Sequence, residues 1–273
     1  MSMIDVIRQG PVARVWLHRP ERRNAFDAAT IAELTQAFVS LSQDTDVRVV
    51  VLGAHGQAFC AGADLNWMQA MAGYSWDENH ADALGLADML WAIDQCPVPV
   101  IAEVQGDCYG GGVGLVAACD IAVAAQEAHF SLSEVRLGLI PATISPYVIR
   151  ALGERAARRY MLTAERFDAA QALALGLVHE TCDAAELSPR VEALVHAIVH
   201  NGPQAVRASK RLIRDVSHEA PGSDLRDTTA RRIADIRASD EGRAGMRAFL
   251  NKTQPDWTVS PETWLAIEPV RRP

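Results

Sequence analysis

The stretch VQGDCYGGGVGLVAACDIAVA, Val104 to Ala124, decides the fold reading. Its first residue ends the mostly apolar stretch Val98–Val104, which reads as a buried strand. Gln105 to Tyr109 form a short connection, and Gly110-Gly111-Gly112 open an Ala-rich helix expected to end near Cys119. Ile121–Ala124 then reads as the next strand. Strand, glycine loop, helix and strand in that order make one β/α unit. Ligands bind at the carboxyl ends of parallel strands in open α/β sheets. Glycine there lets a ligand approach the backbone, and a helix start offers free amides that attract developing negative charge.

Working outward, Val47–Leu52 is a second β-branched strand. The loop Phe59-Cys60-Ala61-Gly62-Ala63-Asp64 follows it. Two such loops at equivalent strand ends could converge two amides on one oxygen, which is the geometry of an oxyanion hole. For either loop alone, the bland reading of turns and tight packing is as good. Val6–Ile7 and Val12–Leu17 read as strands joined at Gly10–Pro11. Asp27 should cap a helix running to about Ser42, with Ile31, Leu34, Phe38 and Leu41 on its buried face. Asp64 should start a short helix through Met71, and Ala72–Asp77 reads as a mobile excursion. Glu78–Gln95 is expected to be helical with Leu84, Ala87, Leu90 and Trp91 inward. His129–Leu132 is a further strand. After about Ile144, strand signals give way to helices at Tyr147–Leu152, Glu154–Leu162, Asp168–Leu175, Glu186–His200, Pro203–Val216, Leu225–Arg237 and Glu241–Leu250. The fold class is therefore α/β with a helical appendage, divided near residue 200 into a core at 1–200 and a tail at 201–273.

Composition narrows the function classes. The 273 residues are 49% hydrophobic and 22% charged, as in ordinary globular chains. Net charge is −8, from 34 acidic and 26 basic residues, which argues against nucleic-acid binding. Five cysteines, an odd number with no C-x-x-C spacing, argue against a disulfide framework or a zinc site and favour a reducing, cytoplasmic setting. No leader peptide and no membrane span is read in the sequence. There is no G-x-S-x-G elbow and no phosphate-binding Gly-Lys-Ser/Thr loop. His196 and His200 lie four apart on a helix, without the Glu of H-E-x-x-H, so packing explains them better than a metal. Glu134 follows the strand-like HFSLS and is flanked by apolar residues. Partial burial would raise its pKa toward a useful range; its bland reading is a surface glutamate.

Taken together, HRPERRNAF, FCAGADL, VQGDCYGGGVGLVAACDIAVA, FSLSEVRLGLIP, LTAERFDAAQALALGLV and GMRAFLNK resemble the enoyl-CoA hydratase/isomerase (crotonase) family over nearly the whole chain. The resemblance implies a core of ββα superhelical turns with a C-terminal helical region that drives oligomerisation into trimers or dimers of trimers. It implies an acyl-CoA thioester substrate, with coenzyme A as part of that substrate, no separate cofactor and no metal. Its oxyanion amides fall on Ala63 and Gly111, and its acid–base residue on Glu134. Coenzyme A contacts fall on backbone around Arg23, Ala25, Ala61, Asp64 and Leu65. Gly110, Gly114 and Pro141 fall around the acyl group, and Phe249 and Lys252 would reach a neighbouring subunit's coenzyme A.

Two departures stand out. Family hydratases carry a first glutamate where this chain has Gly114, and a glycine-rich run where it has Ala142-Thr143-Ile144-Ser145-Pro146-Tyr147. The combination is similar to a subgroup acting on branched glutaconyl-type CoA esters, including methylglutaconyl-CoA and isohexenylglutaconyl-CoA hydratases. A glycine at 114 would leave room for a distal carboxylate on the acyl chain. Hydration of an enoyl-CoA is the leading expectation. The rivals are an enoyl-CoA isomerase working with one glutamate and a CoA-ester-binding protein without catalysis.

Overall fold

The computed structural model describes residues 2–217 and 219–264. The chain runs β1 (Ile4–Gln9), β2 (Val12–Leu17), α1 (Ala28–Gln43), β3 (Val49–Ala54), α2 (Leu65–Met71), α3 (Trp76–Asp94), β4 (Val100–Val104), β5 (Cys108–Tyr109), α4 (Gly111–Ala118), β6 (Ile121–Ala125) and β7 (His129–Ser131). It continues through α5 (Ser145–Leu152), α6 (Glu154–Thr163), β8 (Phe167–Asp168), α7 (Ala169–Leu175), β9 (Glu180–Cys182), α8 (Leu187–Val199), α9 (Pro203–Val216), α10 (Ser223–Ala238) and α11 (Asp240–Asn251). One six-stranded sheet has the order β1-β2-β3-β4-β6-β9; a three-stranded sheet has the order β5-β7-β8. β1 is antiparallel to β2, and the remaining pairs of the large sheet are parallel. Two successive units each give a strand to the large sheet, then a short one to the small sheet: β4 then β5, and β6 then β7.

Residues 100–104 of β4 are all buried, apolar apart from Glu103, which is why this stretch reads as a buried strand. One face of the large sheet supports Val15, Leu17, Val50, Leu52, Ala102 and Val104 against α1, α3 and α4. The other face presents Val12, Val49, Val51, Ile101 and Val123. There α8 covers it with Leu187, Val191, Val195 and Val199, spaced four apart on one helical stripe. Asp27 caps α1 by accepting the Thr30 N–H at 2.9 Å, and Ile31, Leu34, Phe38 and Leu41 are buried as the spacing predicts.

Three expectations need correction. Ala72–Asp77 is not one excursion, because Ser75 and Glu78 form a reciprocal capping box and α3 already begins at Trp76. The buried face of α3 is also rotated. Met89, Leu90 and Ile93 point inward, whereas Leu84 and Trp91 are exposed. Nor do strands stop at Ile144: β8 joins the small sheet and β9 closes the edge of the large one. These strands are two and three residues long, too short for alternation to be read from sequence. The helical tail is pinned to the core by Arg207, which donates to the Val47 carbonyl at 2.7 Å, and by Lys210, which reaches Val98 and Asp120. Residues 265–273 of the expected tail lie outside the described residues.

The loops after β3 and β4 lie backbone to backbone. A Cβ built on Gly106 would stand 1.9 Å from the Gln57 carbonyl oxygen. Gly106→Ala must therefore push two main-chain segments apart. Overpacking of this kind costs about 1–3 kcal/mol, so the variant is expected to melt several degrees below wild type. An unchanged melting temperature would show that the loops are not held together here.

Candidate active site

Two parallel bridges tie the site together. Cys60 pairs with Cys108: the Cys60 N–H donates to the Asp107 carbonyl at 3.2 Å, and the Tyr109 N–H donates to the Cys60 carbonyl at 2.9 Å. Phe26 pairs with Ala63: the Phe26 N–H donates to the Gly62 carbonyl, and the Asp64 N–H donates to the Phe26 carbonyl. In a parallel bridge of this form, Phe26 uses both of its own groups, so the Ala63 N–H is directed to the other side. No acceptor for it occurs among the described residues. Gly111 is the first residue of α4, so its N–H lies among the orphan donors of a helix start.

The Phe26 ring links the two amides. A Cβ on Gly111 would lie 2.6 Å from Phe26 Cε2, and one on Gly112 would lie 2.5 Å from the Cys60 carbonyl oxygen. Glycine is therefore needed for the helix start to reach the first loop at all. Gly110 precedes it at φ +51°, a backbone region that favours glycine, and donates its N–H to Ser131.

Glu134 sits on a short 3-10 turn, Glu134–Leu137, after β7. Its Oε1 would be 3.0 Å from a Cβ on Gly110. The carboxylate thus lies against the start of α4, beside Gly111. Its Oε2 is fully buried and has no hydrogen-bond partner among the described residues. Burial raises its pKa above the usual glutamate value, and no neighbouring acid contributes to the shift. The bland reading of a surface glutamate does not fit this placement.

The first loop is anchored from below. Arg19 donates to the Ala25 carbonyl and pairs with Asp27 and with Asp64 at 3.1 and 3.2 Å. The Asp64 side chain also caps α2 through the Asn66 N–H, so Asp64 is held by both its side chain and its backbone. Asn24 is buried and donates to the His55 and Ala58 carbonyls. Arg23 is exposed, and its carbonyl accepts the Ala61 N–H. Arg23, Ala25, Ala61, Ala63 and Asp64 therefore share one hydrogen-bonded loop system, with Leu65 exposed at the start of α2. Phe249 and Lys252 stand exposed at the end of α11. Pro141 lies in the segment that leaves the Glu134 turn.

Gly114 corrects an expectation. It is buried one turn into α4, and a Cβ there would meet Ile144 Cγ2 at 2.3 Å and Leu90 Cδ2 at 3.6 Å. Ile144 is itself 2% exposed. The glycine leaves no room for an acyl carboxylate along that direction, because an isoleucine fills it. Sequence reasoning singled out the 142–147 segment without seeing which residue turns toward α4. It likewise used Arg19, Asn24 and Phe26 only as part of HRPERRNAF, without assigning them structural work.

Metal-ligating groups occur elsewhere. His196 and His200 stack at 4.0 Å, and His200 Nδ1 faces the His196 carbonyl, so packing accounts for both. Asp5, His18 and His55 form a separate cluster. All five cysteines are free thiols. No helix among the described residues is long and apolar enough to cross a membrane.

Residues 8–260 match the enoyl-CoA hydratase/isomerase family. A Legionella pneumophila structure, provisionally named an enoyl-CoA hydratase/isomerase (crotonase), superimposes with a TM-score of 0.91 at 45% identity, covering 94% of this chain and 100% of that one. An enoyl-CoA hydratase structure from Shewanella pealeana gives 0.90 at 43% identity, covering 93% and 96%. Enoyl-CoA hydratase AKT6-1 of Alternaria alternata is 35% identical over 252 residues, covering 90% of this chain and 80% of the fungal one. With the crotonase fold and a match that spans most of its length, the chain belongs to the enoyl-CoA hydratase/isomerase family of enzymes.

Proposed function

We propose that the protein adds water across the 2,3 double bond of an acyl-CoA thioester, with Glu134 as its acid–base residue. The observation that carries this reading is the half-buried Glu134, whose Oε1 lies against Gly110 and whose Oε2 is buried without a partner among the described residues, next to the free N–H of Gly111 and the bridged Ala63. The Ala63 and Gly111 amides donate to the thioester oxygen as it gains enolate charge, an effect of about 3–4 kcal/mol per donor in comparable sites. Ionised Glu134 takes a proton from water as the water oxygen bonds to C3. The same carboxyl then delivers a proton to C2 and the enolate collapses. The hydratase names of the relatives support water addition.

One observation favours a second reading. Ile144 fills the space beside Gly114, and no second acid perturbs Glu134. A lone carboxylate suffices to carry a proton between two carbons, which is isomerisation. The loop system from Arg23 to Leu65 is the proposed coenzyme A cradle. Apolar residues exposed on α9, α10 and α11, among them Ile213, Ile233, Phe249 and Leu250, support tail-mediated trimers in which Phe249 and Lys252 meet a neighbour's coenzyme A. The branched glutaconyl-type ester has no spatial support at Gly114 and enters the test as one acyl chain among several.

Glu134→Gln should lower turnover by about 10²–10⁴-fold while CoA-ester binding stays close to wild type. Mass analysis of products from a panel of acyl-CoA esters, with and without a terminal carboxylate, separates the readings: hydration adds one water and isomerisation adds nothing. Turnover that survives Glu134→Gln would sink both.

Stability should respond to the same residue in a pH-dependent way. A carboxyl whose folded pKa is raised stabilises the fold below its unfolded value, near 4.5, and loses that contribution as pH rises through the folded value. Glu134→Gln should therefore melt higher than wild type near neutrality, with the gap closing toward pH 4. A gap that widens on acidification would contradict the burial argument.

Gly114→Glu alone should overpack against Ile144 and lower the melting temperature, by about 1–3 kcal/mol of stability or more. Adding Ile144→Ala should recover much of that loss. Equal melting of the single and double variants would show that Ile144 is not the obstacle.

A further inference from the structure

At neighbouring ends of β1, β2 and β3, three potential metal ligands meet. Asp5 lies in β1, His18 follows β2 directly, and His55 follows β3 directly. Register brings them together. Leu17 pairs with Ala54, so His18 and His55 are the next residues of neighbouring parallel strands, and Asp5 pairs with Trp16. Ile4, Leu17 and Ala54 point into the main core. Side chains alternate along a strand, so Asp5, His18 and His55 all turn to the opposite face.

The donor atoms converge. His18 Nδ1 and His55 Nε2 each lie 3.1 Å from the same oxygen, Asp5 Oδ2. All three atoms lie within 4.8 Å of one another. Ligands bound to zinc at about 2.0–2.1 Å in a tetrahedron stand roughly 3.3 Å apart, so two of the three separations are already near the required value. The His18 and His55 rings are 4.8 Å apart, and Trp16 lies against His55 at 5.6 Å, giving the cluster one apolar wall. Backbone position is also fixed: the His55 N–H donates to the Leu17 carbonyl, and Asn24 holds the His55 carbonyl.

We propose that Asp5, His18 and His55 form a binding site for a divalent transition cation of the zinc type, with a fourth position open to solvent. Two imidazoles and one carboxylate favour zinc and its transition-metal neighbours over magnesium or calcium, which prefer all-oxygen sets. Binding needs neutral imidazoles, with the proton of His18 on Nε2 and that of His55 on Nδ1. Neither cysteine spacing nor the His196/His200 pair could reveal this site, because its ligands come from three strand ends far apart in sequence. It is independent of the hydratase reading.

The test is calorimetric titration of the metal-free full-length chain with Zn²⁺ at about pH 7.5, where free imidazole is mostly neutral. One cation should bind per chain, and the melting temperature should rise with it. His18→Ala should weaken binding by about tenfold or more and abolish the thermal shift. His200→Ala, outside the cluster, should leave both unchanged. His55 is the most buried ligand, so His18→Ala, at a more exposed position, is the deciding variant; Asp5→Asn gives a second measure at an exposed position. Absence of binding heat, or equal binding by wild type and His18→Ala, overturns the proposal. Loss of binding in His200→Ala alone would overturn it as well.

Discussion

Two loops lie backbone to backbone at the ends of β3 and β4, and no side chain fits between them. Gly106 faces the Gln57 carbonyl and Gly112 faces the Cys60 carbonyl, each closer than any Cβ could stand. Everything proposed for the site depends on this approach. It sets the N–H of Gly111 near the Ala63 bridge, and it fixes where the start of α4 meets Glu134. Hydrogen bonds then hold the geometry: Cys60 with Cys108, and Phe26 with Ala63. Donors placed by rigid backbone need no reorganisation when charge develops on a substrate oxygen, which is where their catalytic value comes from.

How much of this could be read from the sequence depended on whether a signal was local. The two loops, the Asp27 cap and β2 were legible because they rest on residue type and period alone. The inward face of α3 was misread because Trp91 and Leu84 are apolar, and only tertiary packing decides that Met89 and Ile93 turn inward instead. β8 and β9 were invisible since strands of two or three residues carry no alternation. Site residues followed the same rule. Glu134 was visible as an acid among apolar residues. The roles of Phe26 and Arg19 were hidden, because they come from contacts with segments some 40 to 85 positions away.

Glu134 shows how stability and function oppose each other. An unpartnered buried carboxylate costs stability unless it is protonated, and selection for folding alone would remove it. What the fold gains is a group whose two protonation states lie closer in energy near neutrality. Such a group can accept a proton and return it within one turnover. The surrounding structure is rigid enough to keep it there: β7 leads into the 3-10 turn, and Gly110 bonds back to Ser131. Partial burial of this residue is what the proposed acid–base role would require.

The pair Gly114 and Ile144 extends that argument to specificity. A side chain at 114 and the present side chain at 144 compete for one volume, so the two positions cannot be considered separately. Ile144 belongs to the segment where the resemblance implies a glycine-rich run, and Gly114 stands where it implies a first glutamate. The structure joins them into a single coupled change, in which an isoleucine takes the space a carboxylate would need. Its consequence is electrostatic as well as steric. Glu134 is left without a neighbouring negative charge, so burial raises its pKa against only a backbone hydrogen bond that lowers it. A two-carboxylate site can divide the handling of water and of the carbon-bound proton between its acids, whereas under the proposed mechanism both steps fall to Glu134. Chemistry with one residue in two roles requires that the water, or the second carbon, come within reach of the same oxygen.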